Sequence, residues 1–158
     1  MNKITPCLCF DNQAEEAVKF YVSVFKNSRI EHVTRCGAGE YGVPEGSART
    51  VAFQLFGQPF LAGNGGPHFK FSDAVSLIVN CETQEELDGV WKKLSSAGGK
   101  EIQCGWVTDK YGVSWQVVPA SLGKMMTDPD AARSQRVMQA ILKMVKLDIK
   151  TLERAYEG

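Results

Sequence analysis

Apolar residues recur along this chain with two different periods, and the switches between them mark its elements. Residues 4–10 alternate, with Cys7 and Cys9 on one side and Pro6, Leu8 and Phe10 on the other, which predicts a strand. The two thiols are expected to pack against the helix that follows. That helix is predicted from Ala14, Ala17, Val18, Tyr21, Val22 and Phe25, which form one stripe at helical spacing. Asn12 is its expected N-cap, with Glu15 completing a capping box, and its end is expected near Lys26–Asn27. A strand over Arg29–Cys36, a glycine-rich loop over Gly37–Ser47, and a hairpin of strands 48–56 and 58–63 turning at Gly57–Gln58 complete the first half. The run Gly63-Asn64-Gly65-Gly66-Pro67 then breaks regular structure, and residues 65–73 are predicted as loop.

The same order of elements restarts. Ala74–Cys81 reads as a strand, and Thr83-Gln84-Glu85-Glu86 matches a capping box. Leu87, Val90, Trp91 and Leu94 form the apolar face of the helix behind it, which Gly98-Gly99 should end. Strands are predicted at 101–107 and 113–118, joined by a turn at Asp109–Gly112. Two modules, about 1–66 and about 74–119, thus share an architecture without sharing residues. The tail over about 128–157 differs. Asp128 with Pro129 should start one helix, carrying Val137, Ala140, Ile141, Met144 and Val145. Asp148 should cap a second, carrying Ile149, Leu152 and Tyr156.

Charge narrows the range of partners. Lys+Arg and Asp+Glu each number 18 in 158 residues, so there is no global electrostatic case for binding nucleic acid or an anionic membrane. No apolar run approaches the ~20 residues of a membrane span. Met1–Pro6 leads straight into a strand rather than a secretory signal, and a cytoplasmic location is expected. Five cysteines, an odd number without CxxC spacing, suggest neither a disulfide framework nor a zinc site.

Several short motifs together resemble the vicinal oxygen chelate superfamily of glyoxalases and bleomycin-resistance proteins, and within it the PhnB-like group. They include Ile4-Thr5-Pro6, Ala14-Glu15-Glu16-Ala17, Asn64-Gly65-Gly66-Pro67, Phe69-Lys70-Phe71 and Asn80-Cys81-Glu82-Thr83. The resemblance continues through Cys104-Gly105-Trp106, Gly112-Val113-Ser114-Trp115-Gln116-Val117-Val118-Pro119 and Asp128-Pro129-Asp130. It implies an α+β fold of two βαβββ modules forming a cup-shaped mixed sheet, with C-terminal helices, a pocket in the cup and a homodimer. Some of the resembled proteins carry the name demethylubiquinone methyltransferase. A methyltransferase would need a strand, a glycine-rich loop and a helix to hold its nucleotide, and none is visible here.

Metal-dependent members of the superfamily are implied to use His and Glu side chains from four strands. Those positions fall here near Pro6, near Leu61, at Ala74 or Ser76, and at Gln116, none of them a strong ligand for a divalent metal. Neither His32 nor His68 matches one. The expectation is therefore no catalytic metal and no cofactor. Alternation puts Ser114, Gln116 and Val118 on one face of the last strand, together with Ala74, Ser76, Ile78 and Asn80 by alignment.

Gln116, Ser76, Asn80, Trp106, Asp109, Asn64, Arg49, Gln54 and His68 are the candidate ligand-binding residues, because amides beside aromatics can orient a small molecule. For Gln116 the alternative is an amide bonded to neighbouring backbone. For Asp109 it is a plain turn residue, and for His68 a solvated loop histidine. Cys104 reads as a small buried hydrophobe, with a nucleophile as its alternative, and Trp115 as core. Three functions compete: binding of an unidentified small molecule without metal, a metal-independent or nonstandard enzyme using His68, Asp109 or Cys104, and an interaction module built on the tail.

Overall fold

The computed structural model describes residues 3–158; Met1 and Asn2 of the first predicted module lie outside the described residues. The chain divides into two compact units, one ending at Lys70 and the other beginning at Phe71.

The first unit runs β1 (Cys7–Phe10), α1 (Ala14–Val24), β2 (Arg29–Arg35), β3 (Ala48–Leu55) and β4 (Gln58–Asn64), with a 3₁₀ turn at Glu40–Gly42 inside the glycine-rich loop. Its sheet order is β1-β4-β3-β2. β1 lies parallel to β4, and the remaining pairs are antiparallel. One face buries Leu8, Phe10, Val51, Phe53, Phe60 and Ala62 against the α1 stripe of Ala14, Ala17, Val18 and Tyr21. The hairpin turns at Phe56–Gly57, one residue before the predicted position. Both residues have positive φ, 49° and 78°, as a two-residue type I′ turn requires.

Three expectations for this unit are corrected. Leu8 and Phe10 face α1, so Cys7 and Cys9 lie on the opposite, open face. The thiols had been expected to pack on the helix because both faces of β1 are apolar. The N-cap of α1 is Gln13 rather than Asn12, and it makes no side-chain cap bond. Asn64 at the end of β4 supplies the missing acceptor, its Oδ1 taking the Ala14 N–H at 2.8 Å while its Nδ2 donates to Ala48 O at 2.9 Å. The helical residues of α1 also stop at Val24, slightly short of Lys26–Asn27.

The second unit repeats the plan with β5 (Ser76–Cys81), α2 (Gln84–Leu94), β6 (Lys100–Glu101), β7 (Trp106–Thr108) and β8 (Ser114–Pro119), in the order β5-β8-β7-β6. β5 and β8 are parallel, as β1 and β4 are. Thr83 caps α2 as predicted, accepting from Glu86 N, while the Glu86 carboxylate reaches back to Glu82 N. Leu87, Val90, Trp91 and Leu94 are buried, as are Val79, Cys81, Val107, Trp115 and Val117 on the sheet face that α2 covers.

The strand predicted over 101–107 is in fact two strands that pair antiparallel. Residues Cys104 and Gly105, with φ of 63° and 81°, turn the chain between them. Their N–H groups donate to Met144 O and Val145 O, so the tail, rather than a sheet partner, satisfies this bend.

The tail holds three helices, α3 (Leu122–Met126), α4 (Ala131–Ile141) and α5 (Ile149–Glu157); α3 was not predicted. Asp130, not Asp128, caps α4. Asp128 instead accepts from Asp130 N and from the Tyr156 hydroxyl. Met144 and Val145 lie past the end of α4, while Val137, Ile141, Leu147 and Leu152 are buried. Asp148 caps α5 as predicted, accepting from Thr151 N. Among the described residues no helix is long and apolar enough to cross a membrane.

Candidate functional site

The face of the second sheet that α2 does not cover gathers the densest set of predicted site residues. Register fixes its membership: Ile78 lies opposite Gln116, which lies opposite Trp106, and Asn80 lies opposite Val118. Ser76 and Ser114 are the next pair along. Ala74, expected here too, sits in the turn before β5. Gln116 Nε2 donates to Ser76 Oγ at 2.9 Å. Gln116 is half-buried, and its bond to a strand neighbour's hydroxyl fixes the orientation of the amide. Beside it Trp106 is half-buried, Asn80 is exposed, and Ile78 is 59 % exposed. Ser114 Oγ donates to Asp73 Oδ1 at 2.8 Å, closing one end of the patch. An aromatic ring, an exposed isoleucine and an oriented amide on one rigid sheet form the elements of a small-molecule site: apolar surface for affinity, and a fixed hydrogen-bonding group for orientation.

The other candidates have different surroundings. Asp109 is 3 % exposed. Its Oδ1 accepts from Tyr111 N at 2.8 Å and Val113 N at 3.1 Å, and its Oδ2 from the Trp115 indole at 2.8 Å. The carboxylate therefore builds the turn and satisfies a buried tryptophan. Asn64 is the α1 cap already described. Arg49 pairs with Glu40, and its buried Nε has no hydrogen-bond partner among the described residues. Gln54 donates to Glu31 Oε1 at 2.7 Å across β2 and β3. His68 lies exposed in the loop after β4.

In the first unit, the open-face neighbour of Leu61 is Cys7, not Pro6, and Cys9 stands opposite Gly63. Sequence reasoning put this pair against α1, because both faces of β1 are apolar and parity does not say which of them meets the helix. Burial, and after it the neighbouring Cys9 thiol, raise the Cys7 pKa. Cys81, enclosed under α2, has its thiol pushed up to about 12, first by burial and then by Glu86 and Glu82.

A model of the 3-demethylubiquinone-9 3-methyltransferase family matches residues 2–118. The chain belongs to that family. A PhnB protein from Bacillus cereus bearing the same methyltransferase name is 39% identical, with a TM-score of 0.67 over 74% of this chain and 99% of that one. Two solved structures agree in fold at lower identity. Protein PA1353 from Pseudomonas aeruginosa is 18% identical, with a TM-score of 0.60 over 75% of this chain and 97% of that one. The fosfomycin resistance protein FosX from Listeria monocytogenes, in complex with Mn(II) and sulfate, is 12% identical, with a TM-score of 0.51 over 75% of this chain and 89% of that one. The fold is thus that of the vicinal oxygen chelate superfamily. No curated protein matches the chain.

FosX holds Mn(II), but the donors at the corresponding strands here do not suit such an ion. Leu61 offers only hydrocarbon, Ser76 and Gln116 are neutral and bonded to one another, and Ala74 has no donor. Among the described residues, no group of three His, Cys, Asp or Glu side chains converges on a point where a metal could sit. Hard divalent ions need carboxylate or imidazole ligands, and this set does not fit them.

Proposed function

We propose that the protein binds a small organic molecule on the open face of its second sheet, without a catalytic divalent metal and as a homodimer in the cytoplasm. The observation that carries this reading is the Gln116–Ser76 pair beside half-buried Trp106 and exposed Ile78. Neutral groups of this kind select by hydrogen-bond geometry and shape, and they suit a molecule with an aromatic or alkyl body and one polar edge.

The family's methyltransferase name implies a nucleotide-like methyl donor. The glycine-rich run after β4 leads into loop and then β5, so it opens no helix N-terminus onto a phosphate or carboxylate. A groove of about 990 Å³ between α4 and α5 is a weaker candidate. Its Arg136 is engaged by Ala155 O and Tyr156 O, and its Lys146 by Asp88.

Two titrations separate the readings. Added to Mn(II), the protein is expected to leave the electron paramagnetic resonance of the free ion unchanged, and S-adenosylmethionine is expected to give no heat of binding. Stoichiometric loss of the free-ion signal would overturn the metal-free reading. Saturable donor binding would restore methyl transfer. Sedimentation velocity at twice the 17.4 kDa chain mass checks the dimer.

A further inference from the structure

We propose that Cys7 and Cys9 form a two-thiolate chelate for a soft monovalent cation, Cu(I), on the open face of the first sheet. The period of a strand puts both side chains on one side, and burial of Leu8 and Phe10 shows which side that is. Cys7 is exposed and Cys9 half-buried, so an ion can reach both. Across the sheet, Cys9 faces Gly63, which has no side chain to cover it, and Cys7 faces Leu61, which is 38 % exposed. By register these thiols occupy in the first module the places that Ile78 and Asn80 hold in the second.

Geometry favours a chelate over a disulfide. Residues two apart on a strand lie about 6.6 Å apart, with their Cβ atoms nearly parallel. A disulfide needs Cβ atoms about 3.5–4.5 Å apart, so closing one would require β1 to buckle. Two metal–sulfur bonds of about 2.3 Å span up to about 4.6 Å between sulfurs, which side-chain rotation alone can supply. Thiolates select soft ions, and Cu(I) is content with two ligands, so the lack of a third side chain is no obstacle. Binding displaces both thiol protons: two S–H bonds break, two S–Cu bonds form, two protons leave, and nothing is oxidised. Affinity should therefore rise with pH.

The test is anaerobic competition between the protein and the Cu(I)–bicinchoninate complex, read by loss of the complex's colour. The wild-type chain should withdraw one equivalent of Cu(I). Cys7→Ser, Cys7→Ala and Cys9→Ser should each lose that uptake, while Cys104→Ser should keep it. Unchanged melting temperatures for the Cys7 and Cys9 variants would show that the sheet is intact. Three results would overturn the proposal: no uptake by the wild type, uptake retained when both Cys7 and Cys9 are serine, or half an equivalent retained by each single variant, which would mean a metal bridging two chains.

Discussion

A single carboxylate shows how a residue can look like chemistry and serve structure. Asp109 sits in a turn next to an aromatic-rich strand, but its oxygens accept from two backbone N–H groups and a buried indole. Changing Asp109 to Ala would strand three donors, two of them in buried residues, and should cost about 3 kcal/mol. A denaturant midpoint shifted by much less would show that the turn does not depend on it.

Glu15 makes a pH-dependent contribution. Hydrogen bonds from Arg35, then Lys19, hold its pKa at about 2, against an ordinary value of 4.5. Because the folded value is depressed, the stabilisation is present above pH 4.5 and is lost as pH falls toward about 2. Both partners are substantially solvated, so the effect is small. In Glu15→Gln, the decline in stability over that window should be shallower than in the wild type. An unchanged acid limb would contradict this. The turn role of Asp109 was one of two readings that its residue type allowed, and type alone could not choose between structure and ligand for it or for Asn64. Asp109 and Asn64 offer the same atoms to a ligand as to a neighbour, and their partners, Trp115 for one and Ala14 for the other, lie on other elements.

Two helix caps set by local signals were read correctly from the sequence, and features set by distant partners were not. Thr83 and Asp148 cap helices through residues three positions on, so spacing revealed them. The α1 cap comes from Asn64, fifty residues away, and no local pattern encodes it. The break between β6 and β7 is similar. Its apolar and polar residues continue a strand-like run, and the carbonyls of Met144 and Val145, which take the N–H groups of the left-handed pair Cys104–Gly105, lie forty residues further along the chain. A Cβ on Gly105 would lie 3.0 Å from Leu147 Cγ and 3.1 Å from Val117 O, at a φ of 81°. Gly105→Ala should therefore destabilise by about 2 kcal/mol or more, from backbone strain added to crowding. Thermal melting is the check, and an unchanged midpoint would mean that the tail is not docked through this bend. Helix α3 was missed because five residues without a side-chain cap leave no periodic signature.

At the scale of the whole molecule, the repeated strand–helix–strand plan was legible because each module restates both hydrophobic periods, and the matched family model and shared fold agree with it. The candidate site was legible in part. Parity and alignment placed Gln116 with Ala74, Ser76, Ile78 and Asn80; the register keeps the last three and adds Trp106 across β7. Parity could not show that the Gln116 amide bonds to Ser76, or that Cys7 and Cys9 turn away from α1.

The binding proposal rests on that oriented amide and the ring beside it. The other two indoles are already committed, Trp91 to Glu101 and Trp115 to Asp109. This makes side-chain nuclear magnetic resonance the most direct test, with ¹⁵N-labelled protein titrated against a library of small aromatic molecules carrying one polar edge. Saturable shifts of the Gln116 side-chain amide and the Trp106 indole, with the Trp91 and Trp115 indoles unmoved, are the predicted result. A library in which no compound moves those two signals, or in which binders move only signals elsewhere, would contradict a ligand site on this face.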